Sequence, residues 1–246
     1  MTSHSAGIAA VIPCLDAQDT IAEVVRATRR HIDRVVVVDD GSGDLSAQRA
    51  AGAGAELLRH GTTRGKGAAL RSGFSHLLGR RPGEPPDPAG GPAPDAIVTL
   101  DADGQHDPDD IPALQLAFRR HRPAIVIGSR ARHFDAMLGR RRAMNRFSVA
   151  ALRFFAGLEL PDSQSGFRLY DAAFLAASVT SGARYEAEME ALLAAARRRL
   201  PIVSVPIGLK VVDGQATSHF RTFPDTFRII GVVLGDWLRG GPRADA

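Results

Sequence analysis

Four consecutive valines at residues 35–38 constrain the fold more than any other feature of this 246-residue chain. A strand that is apolar on both faces must be covered on both sides, which is typical of a parallel sheet flanked by helices. Further short apolar runs occur at residues 8–13, 97–100 and 125–127, and residues 21–32 have apolar positions at helical spacing. The alternation predicts an α/β fold with a Rossmann-like, mostly parallel central sheet.

The domain organisation follows from length and composition. With 44% hydrophobic residues, the chain suffices for one well-buried domain, with a core over about residues 8–230. Residues 80–95 are rich in proline and glycine and predict a flexible surface loop, whereas residues 223–240 predict an amphipathic C-terminal helix. The single cysteine, Cys14, excludes a disulfide framework and indicates a reducing compartment.

Charge and hydropathy limit the cellular location and the classes of partner that we expect. We find neither a signal-peptide pattern near the first residue nor an apolar run long enough to span a bilayer, so we expect a cytoplasmic protein, peripheral at the inner face of the membrane. The net charge of +4 suggests an anionic partner. No nucleic-acid motif accompanies it, and we expect no nucleic-acid partner.

Polar residues gather directly after the predicted strands. In open parallel sheets, ligands bind at the carboxyl ends of the strands, so these residues are expected along one edge. They are Asp16, Asp39, Asp40, Asp101, Asp103 and Arg130.

Asp101 and Asp103 leave a predicted buried strand two residues apart, with Gln105 close behind. Carboxylate and amide oxygens in such a sparse set suit Mg²⁺ or Mn²⁺, whose remaining ligands are substrate phosphates and water. A turn or a helix cap is the alternative for any isolated pair of this kind. The position after a strand favours the metal site. His106 is interpreted as a neighbour of the site rather than a ligand.

Two other polar segments leave alternatives open. Residues 39–44 also end a strand, and their carboxylates can accept from a nucleotide or simply form a turn. Lys66 stands between glycines at a predicted helix start, which favours anion binding, although a solvated surface turn has the same sequence. The spacing differs from that of a P-loop.

Taken in order, these segments resemble the family 2 glycosyltransferases of GT-A fold, in particular the dolichol-phosphate mannose synthase and polyprenol-phosphate glycosyltransferase branch. The matching stretches are residues 11–13, 37–44, 65–71, 100–106, 128–130 and 162–168. The likeness covers about residues 8–230.

The resemblance implies a nucleotide-sugar donor, with GDP or UDP undetermined, a lipid-phosphate acceptor and a divalent cation. It implies that the donor is bound by Pro13, Leu15, Val37, Asp39, Asp40, Lys66, Ala102 and Gln105. It places the metal at Asp101, Asp103 and Gln105, gives Arg130 to the donor or the acceptor phosphate, and gives Arg141 and Asn145 to the acceptor phosphate. The catalytic residues that it implies are Asp101, Asp103, Arg130 and Asp162.

The chain departs from the family pattern at two places. Asp16 stands where the family usually has Asn. Near the C-terminus the usual Arg and Lys are missing, and His219 or Arg221 is expected to take over the donor-phosphate contact.

Two amphipathic segments predict attachment to a membrane surface or packing within the protein. The first has an apolar stripe that includes Phe147 and Phe154, with Arg146 and Arg153 on another face. The second is the C-terminal helix, where Trp237 suits a membrane interface or a dimer contact. A membrane-anchoring partner protein or a homodimer is compatible with either.

The expected reaction is an inverting transfer of a sugar. A lipid-phosphate oxygen needs little help from a base, whereas a hydroxyl acceptor requires one, for which Asp162, Glu186 and Glu188 are candidates. Each of them also has a structural interpretation as a cap or a first-turn helix acid. A hydroxyl-acceptor glycosyltransferase, a nucleotidyltransferase and a non-catalytic binding module remain alternatives.

Overall fold

The computed structural model describes residues 7–79, 93–133, 139–178, 182, 186–209, 231–235 and 238. The strands are β1 (Ile8–Cys14), β2 (Arg34–Asp39), β3 (Glu56–Arg59), β4 (Ala96–Thr99), β5 (Ile125–Ser129), β6 (Arg168–Asp171) and β7 (Ile202–Pro206). The helices are α1 (Ile21–Arg29), α2 (Ser46–Gly52), α3 (Lys66–Leu78), α4 (Ile111–His121), α5 (Gly139–Ala156), α6 (Ala172–Ala176) and α7 (Glu186–Arg197).

All seven strands form one sheet in the order β3-β2-β1-β4-β6-β5-β7. β6 is antiparallel to both of its neighbours, and the other pairs are parallel. The predicted α/β fold with a mostly parallel sheet is confirmed.

The valine run explains why the sheet is covered on both faces. Val36 and Val38 belong to one apolar cluster, and Val35 and Val37 belong to a second. Because successive side chains of a strand point to opposite faces, the sheet separates two hydrophobic cores. All four valines are at most 1% exposed.

Helix termini follow the local sequence. Gly65 precedes α3 with a φ of 95°, a conformation that side chains with a Cβ rarely adopt. Asp107 accepts a hydrogen bond from the backbone N–H of Asp109 and so caps a short 3-10 turn that leads into α4. The predicted helices at these two places are confirmed.

The reversal of β6 decides what lies at the carboxyl edge of the sheet. Arg168, the first residue of β6, pairs with Thr99 near the end of β4 and with Ile127 of β5. A strand that runs against its neighbours begins where they end. The segment that enters β6, residues 162–167, therefore arrives at the same edge as the residues that leave β4 and β5.

Sequence reasoning missed β3, β6 and β7, and the strand expected third along the chain is β4. Residues 231–235 are helical, as expected for the C-terminal helix, but the rest of residues 223–240, apart from residue 238, lies outside the described residues. The predicted loop at residues 80–95 falls outside them too, except for residues 93–95. No helix in the described ranges has both the length and the apolar character needed to cross a bilayer.

Candidate active site

Asp39 ends β2 with no exposed surface and with both carboxylate oxygens engaged. Oδ1 accepts from the backbone N–H of Ser42 at 3.1 Å, and Oδ2 accepts from Nε of Arg59 at 3.0 Å. The Arg59 side chain is 56% exposed. Asp39 thus joins the turn after β2 to the end of β3, and its contact with a nucleotide stays a prediction.

The carboxylate of Asp40 fixes the loop that leads into α3. It lies 2.6 Å from Nδ1 of His60 and accepts from the backbone N–H groups of Arg64 and Gly65 at 3.0 and 2.7 Å. Because Lys66 follows directly, these bonds determine where that side chain starts. These bonds give Asp40 a structural role, and its contact with a nucleotide stays a prediction.

The turns after β1 and β2 are joined by reciprocal hydrogen bonds. The backbone N–H of Asp16 donates to Oγ of Ser42 at 3.0 Å, and the backbone N–H of Gly43 donates to Oδ1 of Asp16 at 2.9 Å. Asp16 has a φ of 47°, which Asp and Asn tolerate better than most residues. Pro13 and Leu15 lie partly exposed beside this junction, at the expected edge.

Two predicted donor contacts lie inside the protein. Val37 has no exposed surface and packs in the core, so the structure gives it a role in packing in place of a ligand contact. Ala102 is 6% exposed, and its carbonyl oxygen accepts from Oγ1 of Thr20 at 2.6 Å. That bond holds the loop after β4 against the start of α1.

An ion-pair chain occupies the centre of the edge. Nζ of Lys66 lies 2.6 Å from Oδ1 of Asp101 and 3.2 Å from Oε1 of Glu188. Burial alone would raise the pKa of the Asp101 carboxyl, but the Lys66 ammonium, together with His106 and Arg130, outweighs burial and brings that pKa down to about 2. A Cβ at Gly166 would lie 2.6 Å from both Oδ2 of Asp101 and Nζ of Lys66, so only glycine leaves room for this contact.

The rest of the acidic segment folds tightly behind Asp101. The backbone N–H of Gln105 donates to Oδ1 of Asp103 at 3.0 Å. His106 is 4% exposed, and burial lowers the pKa of its imidazole to about 4. Although Nδ1 of His106 lies 3.8 Å from Oδ2 of Asp101, the ring is neutral at pH 7 and forms no ion pair.

The oxygen donors fit a hard divalent cation as a partial ligand set. In the parts of the chain that the structure describes, no three His, Cys, Asp or Glu side chains converge on one point. Two carboxylates and an amide, at Asp101, Asp103 and Gln105, suit Mg²⁺ or Mn²⁺ when substrate phosphates and water supply the other ligands. The predicted metal role of these residues stays a prediction.

Arg130 follows β5 and is held by Asp162, which has no exposed surface. Nε and Nη2 of Arg130 donate to Oδ2 and Oδ1 of Asp162 at 2.8 and 3.1 Å. Burial opposes both charges, but the pairing raises the pKa of the guanidinium and lowers that of the carboxyl. The backbone N–H groups of Arg130 and Gln164 also donate to Asp162. With both oxygens engaged, Asp162 positions Arg130 and is unsuited to act as the base.

Buried amide groups surround the same segment. Asn145 of α5 is 3% exposed, and its Oδ1 accepts from the backbone N–H of Ser163 at 3.3 Å. Oγ of Ser148 and Oγ of Ser163 lie 3.0 Å apart. Nδ2 of Asn145 and Nε2 of Gln164 are buried and have no hydrogen-bond partner. Buried donors of this kind call for an explanation, and a bound anion supplies one.

The fully buried Arg168 was not predicted as part of the site. Its guanidinium donates to the backbone carbonyls of Ser163, Ser165 and Glu188, each at 2.8 Å. It thereby fixes the segment before β6 against α7 and holds Glu188 where it meets Lys66. No local pattern identifies such a clamp, because its partners lie on separate elements.

Three predicted ligand side chains lie outside the described residues. They are Arg141, of which only the helical backbone of α5 is described, His219 and Arg221. Glu186 begins α7 as a first-turn acid.

Asp101, which is paired with Lys66, and Arg130, which is paired with Asp162, lie close enough for each charge to affect the other. The charge of Arg130 lowers the pKa of Asp101, and the charge of Asp101 raises that of Arg130. A fixed guanidinium, an ammonium and several carboxylates thus meet at the carboxyl edge of a sheet of nucleotide-binding type. The fold and this cluster of charges indicate a ligand-binding site at that edge.

Comparison with known proteins identifies the class. The family model for glycosyl transferase family 2 matches residues 9–177, and the chain belongs to that family of glycosyltransferases. An uncharacterized protein of Methanocaldococcus jannaschii is 30% identical over 230 residues, covering 89% of either chain. UDP-N-acetylglucosamine–dolichyl-phosphate N-acetylglucosaminyltransferase of Methanococcus voltae is 28% identical, over 93% of this chain and 96% of its own.

Among solved structures, glucosyl-3-phosphoglycerate synthase of Mycobacterium tuberculosis, in complex with Mn²⁺, UDP-glucose and phosphoglyceric acid, superimposes with a TM-score of 0.70. The match covers 94% of this chain and 79% of that one at 20% identity. The expected GT-A fold and glycosyltransferase class are confirmed.

Proposed function

We propose that this enzyme transfers a sugar from a nucleoside diphosphate to a polyprenyl phosphate. The observation that carries the proposal is the pair of buried amide donors, on Asn145 and Gln164, beside a guanidinium that Asp162 holds in place. Buried N–H groups without acceptors and a fixed positive charge suit a phosphate oxygen. The relative from Methanococcus voltae, whose name includes a dolichyl-phosphate acceptor, supports the same class of substrate.

The chemistry of the site supports a phosphate rather than a hydroxyl acceptor. Asp162 is saturated with hydrogen bonds, so it is not placed to take a proton from a hydroxyl. Glu188 forms an ion pair with Lys66, although its Oε1 accepts no hydrogen bond. A phosphate oxygen is already ionised at neutral pH and needs no base. It attacks the anomeric carbon while the bond to the diphosphate breaks, which inverts the configuration.

Asp101, Asp103 and Gln105 would hold Mg²⁺ or Mn²⁺ with the donor diphosphate. The cation, when bound, neutralises the charge that develops on the leaving group. Lys66 and Arg130 add positive charge at the same edge, and preorganised charges stabilise a transition state more than mobile ones do.

The position of α5 supports work at a membrane surface. Phe147 and Phe154 are 53% and 72% exposed, and Arg146 and Arg153 are exposed on the same helix. Aromatic and cationic side chains together suit an anionic lipid interface. The opposite, buried side of α5 carries Asn145, so one helix joins the exposed aromatic face to the amide donors.

A transfer assay tests the acceptor. The purified chain is supplied with radiolabelled UDP- and GDP-sugars, Mn²⁺ and undecaprenyl phosphate in detergent micelles. We expect label in the organic phase, released by mild acid as a glycosyl phosphate would be. The matched control is undecaprenol, which lacks the phosphate. Equal transfer to undecaprenol, or release of pyrophosphate instead of a nucleoside diphosphate, would contradict the proposal.

A hydroxyl acceptor is the second candidate, because the solved structure with phosphoglyceric acid shares the fold. The same assay decides it when 3-phosphoglycerate replaces the lipid. Transfer to 3-phosphoglycerate and none to the lipid phosphate would favour that alternative.

A further inference from the structure

The ammonium of Lys66 lies in the acidic centre of the site. It lies 2.6 Å from Oδ1 of Asp101, which is hydrogen-bond and ion-pair distance, and 3.2 Å from Oε1 of Glu188. The Lys66 side chain is 15% exposed and the Asp101 side chain 29%. Screening by water is incomplete at such positions, so the contact is stronger than a surface ion pair.

The backbone around the contact is built to hold it. Asp40 fixes the loop before Lys66, and Arg168 fixes the main chain of Glu188. Gly166 leaves the space that Asp101 and Lys66 fill, since a Cβ there would lie 2.6 Å from each. Elements that are far apart in the sequence thus converge on one ammonium group.

Charge balance indicates what this contact does. Lys66, Arg130 and Arg168 carry three positive charges. The carboxylates of Asp101, Asp162 and Glu188, with that of Asp103, the second proposed cation ligand, carry four negative ones. These seven groups therefore sum to one negative charge. A divalent cation bound alone would reverse the sign of that charge at a partly buried site, whereas a diphosphate arriving with it makes the site negative again.

We infer that Lys66 is a resident counter-cation of Asp101 that makes cation binding depend on the donor diphosphate. In the free enzyme, Lys66 neutralises Asp101 and weakens the attraction of the site for a divalent ion. When the donor is present, Lys66 exchanges the carboxylate of Asp101 for a phosphate oxygen and keeps Glu188 as its second partner. The inference rests on the proposed nucleotide-sugar site and deepens it by assigning an order to binding.

Manganese binding by the full-length chain tests the inference without any transfer reaction. Free Mn²⁺ is measured by electron paramagnetic resonance, with and without UDP or GDP. We expect the unmodified chain to bind Mn²⁺ at least about tenfold more tightly with nucleotide than without it. In Lys66→Met, affinity for Mn²⁺ alone should rise about tenfold, and the enhancement by nucleotide should shrink to about threefold or less.

Arg64→Met is the matched control. It removes one positive charge from the same loop, two residues away and on an exposed side chain, so it leaves the Lys66 contact intact. We expect its Mn²⁺ affinity to stay within about twofold of that of the unmodified chain. An equal rise in Arg64→Met and Lys66→Met would reduce the effect to net charge and overturn the inference.

The remaining outcomes are distinguishable. Unchanged or weaker binding of Mn²⁺ alone by Lys66→Met, with nucleotide enhancement still present, overturns the inference and leaves the proposed function standing. If no Mn²⁺ binds to any variant even with nucleotide, the metal centre itself is refuted. Circular dichroism verifies folding, and Lys66→Gln, which retains a polar group, replaces Lys66→Met if the latter does not fold.

Discussion

The two sides of the active site differ in how their buried polar groups are satisfied. On the donor side (residues 39–66), Asp39 and Asp40 are bound by the chain's own N–H groups and side chains. On the acceptor side (residues 130–168), amide nitrogens of Asn145 and Gln164 are buried without partners. The described donor side contains no such atom.

This difference in hydrogen bonding indicates that the two sides acquire the geometry needed to bind a ligand in different ways. Hydrogen bonds within the protein preform the donor side before a ligand binds. On the proposed function, a ligand supplies the missing acceptors on the acceptor side, because an unmet buried donor costs about 1–3 kcal/mol. We therefore expect substitutions on the donor side to act through the position of loops and those on the acceptor side through affinity for the acceptor.

The largest effect is expected from the acidic centre, which both sides require. Asp103→Ala should lower the rate of sugar transfer by about a thousandfold, because the divalent cation contributes several kcal/mol of charge stabilisation. Asp103 is partly exposed, so the melting temperature should change little. Rates of transfer and thermal unfolding are measured on the same preparation. Full activity in this variant or in chelator-treated protein would refute the metal role.

Asp162→Asn and Asp39→Asn compare the two sides through stability. Both carboxylates are fully buried and accept from an arginine Nε, but the Arg130 side chain is 15% exposed and that of Arg59 is 56% exposed. Asp162→Asn should lower the free energy of unfolding by about 3 kcal/mol because a buried guanidinium loses its counter-charge. Asp39→Asn should cost about 1 kcal/mol. Urea denaturation measures both, and equal losses would erase the distinction.

The pH dependence of stability tests the buried imidazole between the two sides. Burial lowers the pKa of His106 from 6.5 to about 4, so the folded protein excludes a proton that the unfolded chain binds below about pH 6.5. Stability should be fully present above that pH and fall by about 3 kcal/mol as the pH drops to 4. In His106→Gln this loss should be absent. A similar acid slope in both proteins would assign the loss to other groups.

The smallest effect is expected from Gln164→Ala, which tests whether the acceptor side binds the acceptor. Loss of a buried amide donor should raise the KM for the lipid phosphate about fivefold, with the KM for the nucleotide-sugar unchanged. Gln18→Ala is the matched control, since Oε1 of Gln18 accepts from the backbone N–H of Leu45 on the donor side of the sheet. An equal change in both variants, or in the KM of the donor, would show that Gln164 does not meet the acceptor.

The sequence predicts the parts of the fold that local patterns determine. Long apolar runs identify β1, β2, β4 and β5, and glycine or aspartate at helix starts identifies α3 and α4. β3 and β6 are four residues each and carry charged side chains, so their strand character comes from the pairing with neighbours. Residues 162–168 are recognisable as a motif, but their place at the site depends on the reversal of β6.

The candidate residues at the strand ends were predictable from the sequence, because the carboxyl ends of parallel strands lie at the same edge of the sheet. Their roles were harder to predict, since these depend on partners distant in the chain. The pairing of Lys66 with Asp101 and Glu188, the clamp around Arg168 and the saturation of Asp162 each join separate elements. The spacing of residues within one motif does not predict contacts between separate elements.

The hydrogen bonds between α5 and the segment before β6 have a mechanical consequence. Asn145 and Ser148 contact Ser163, which is the neighbour of Asp162, and Asp162 in turn holds the guanidinium of Arg130. A tilt of α5 is therefore transmitted to the reaction centre through a short chain of rigid contacts. A surface that binds Phe147 and Phe154 would therefore affect the orientation of the Arg130 side chain as well as the location of the enzyme.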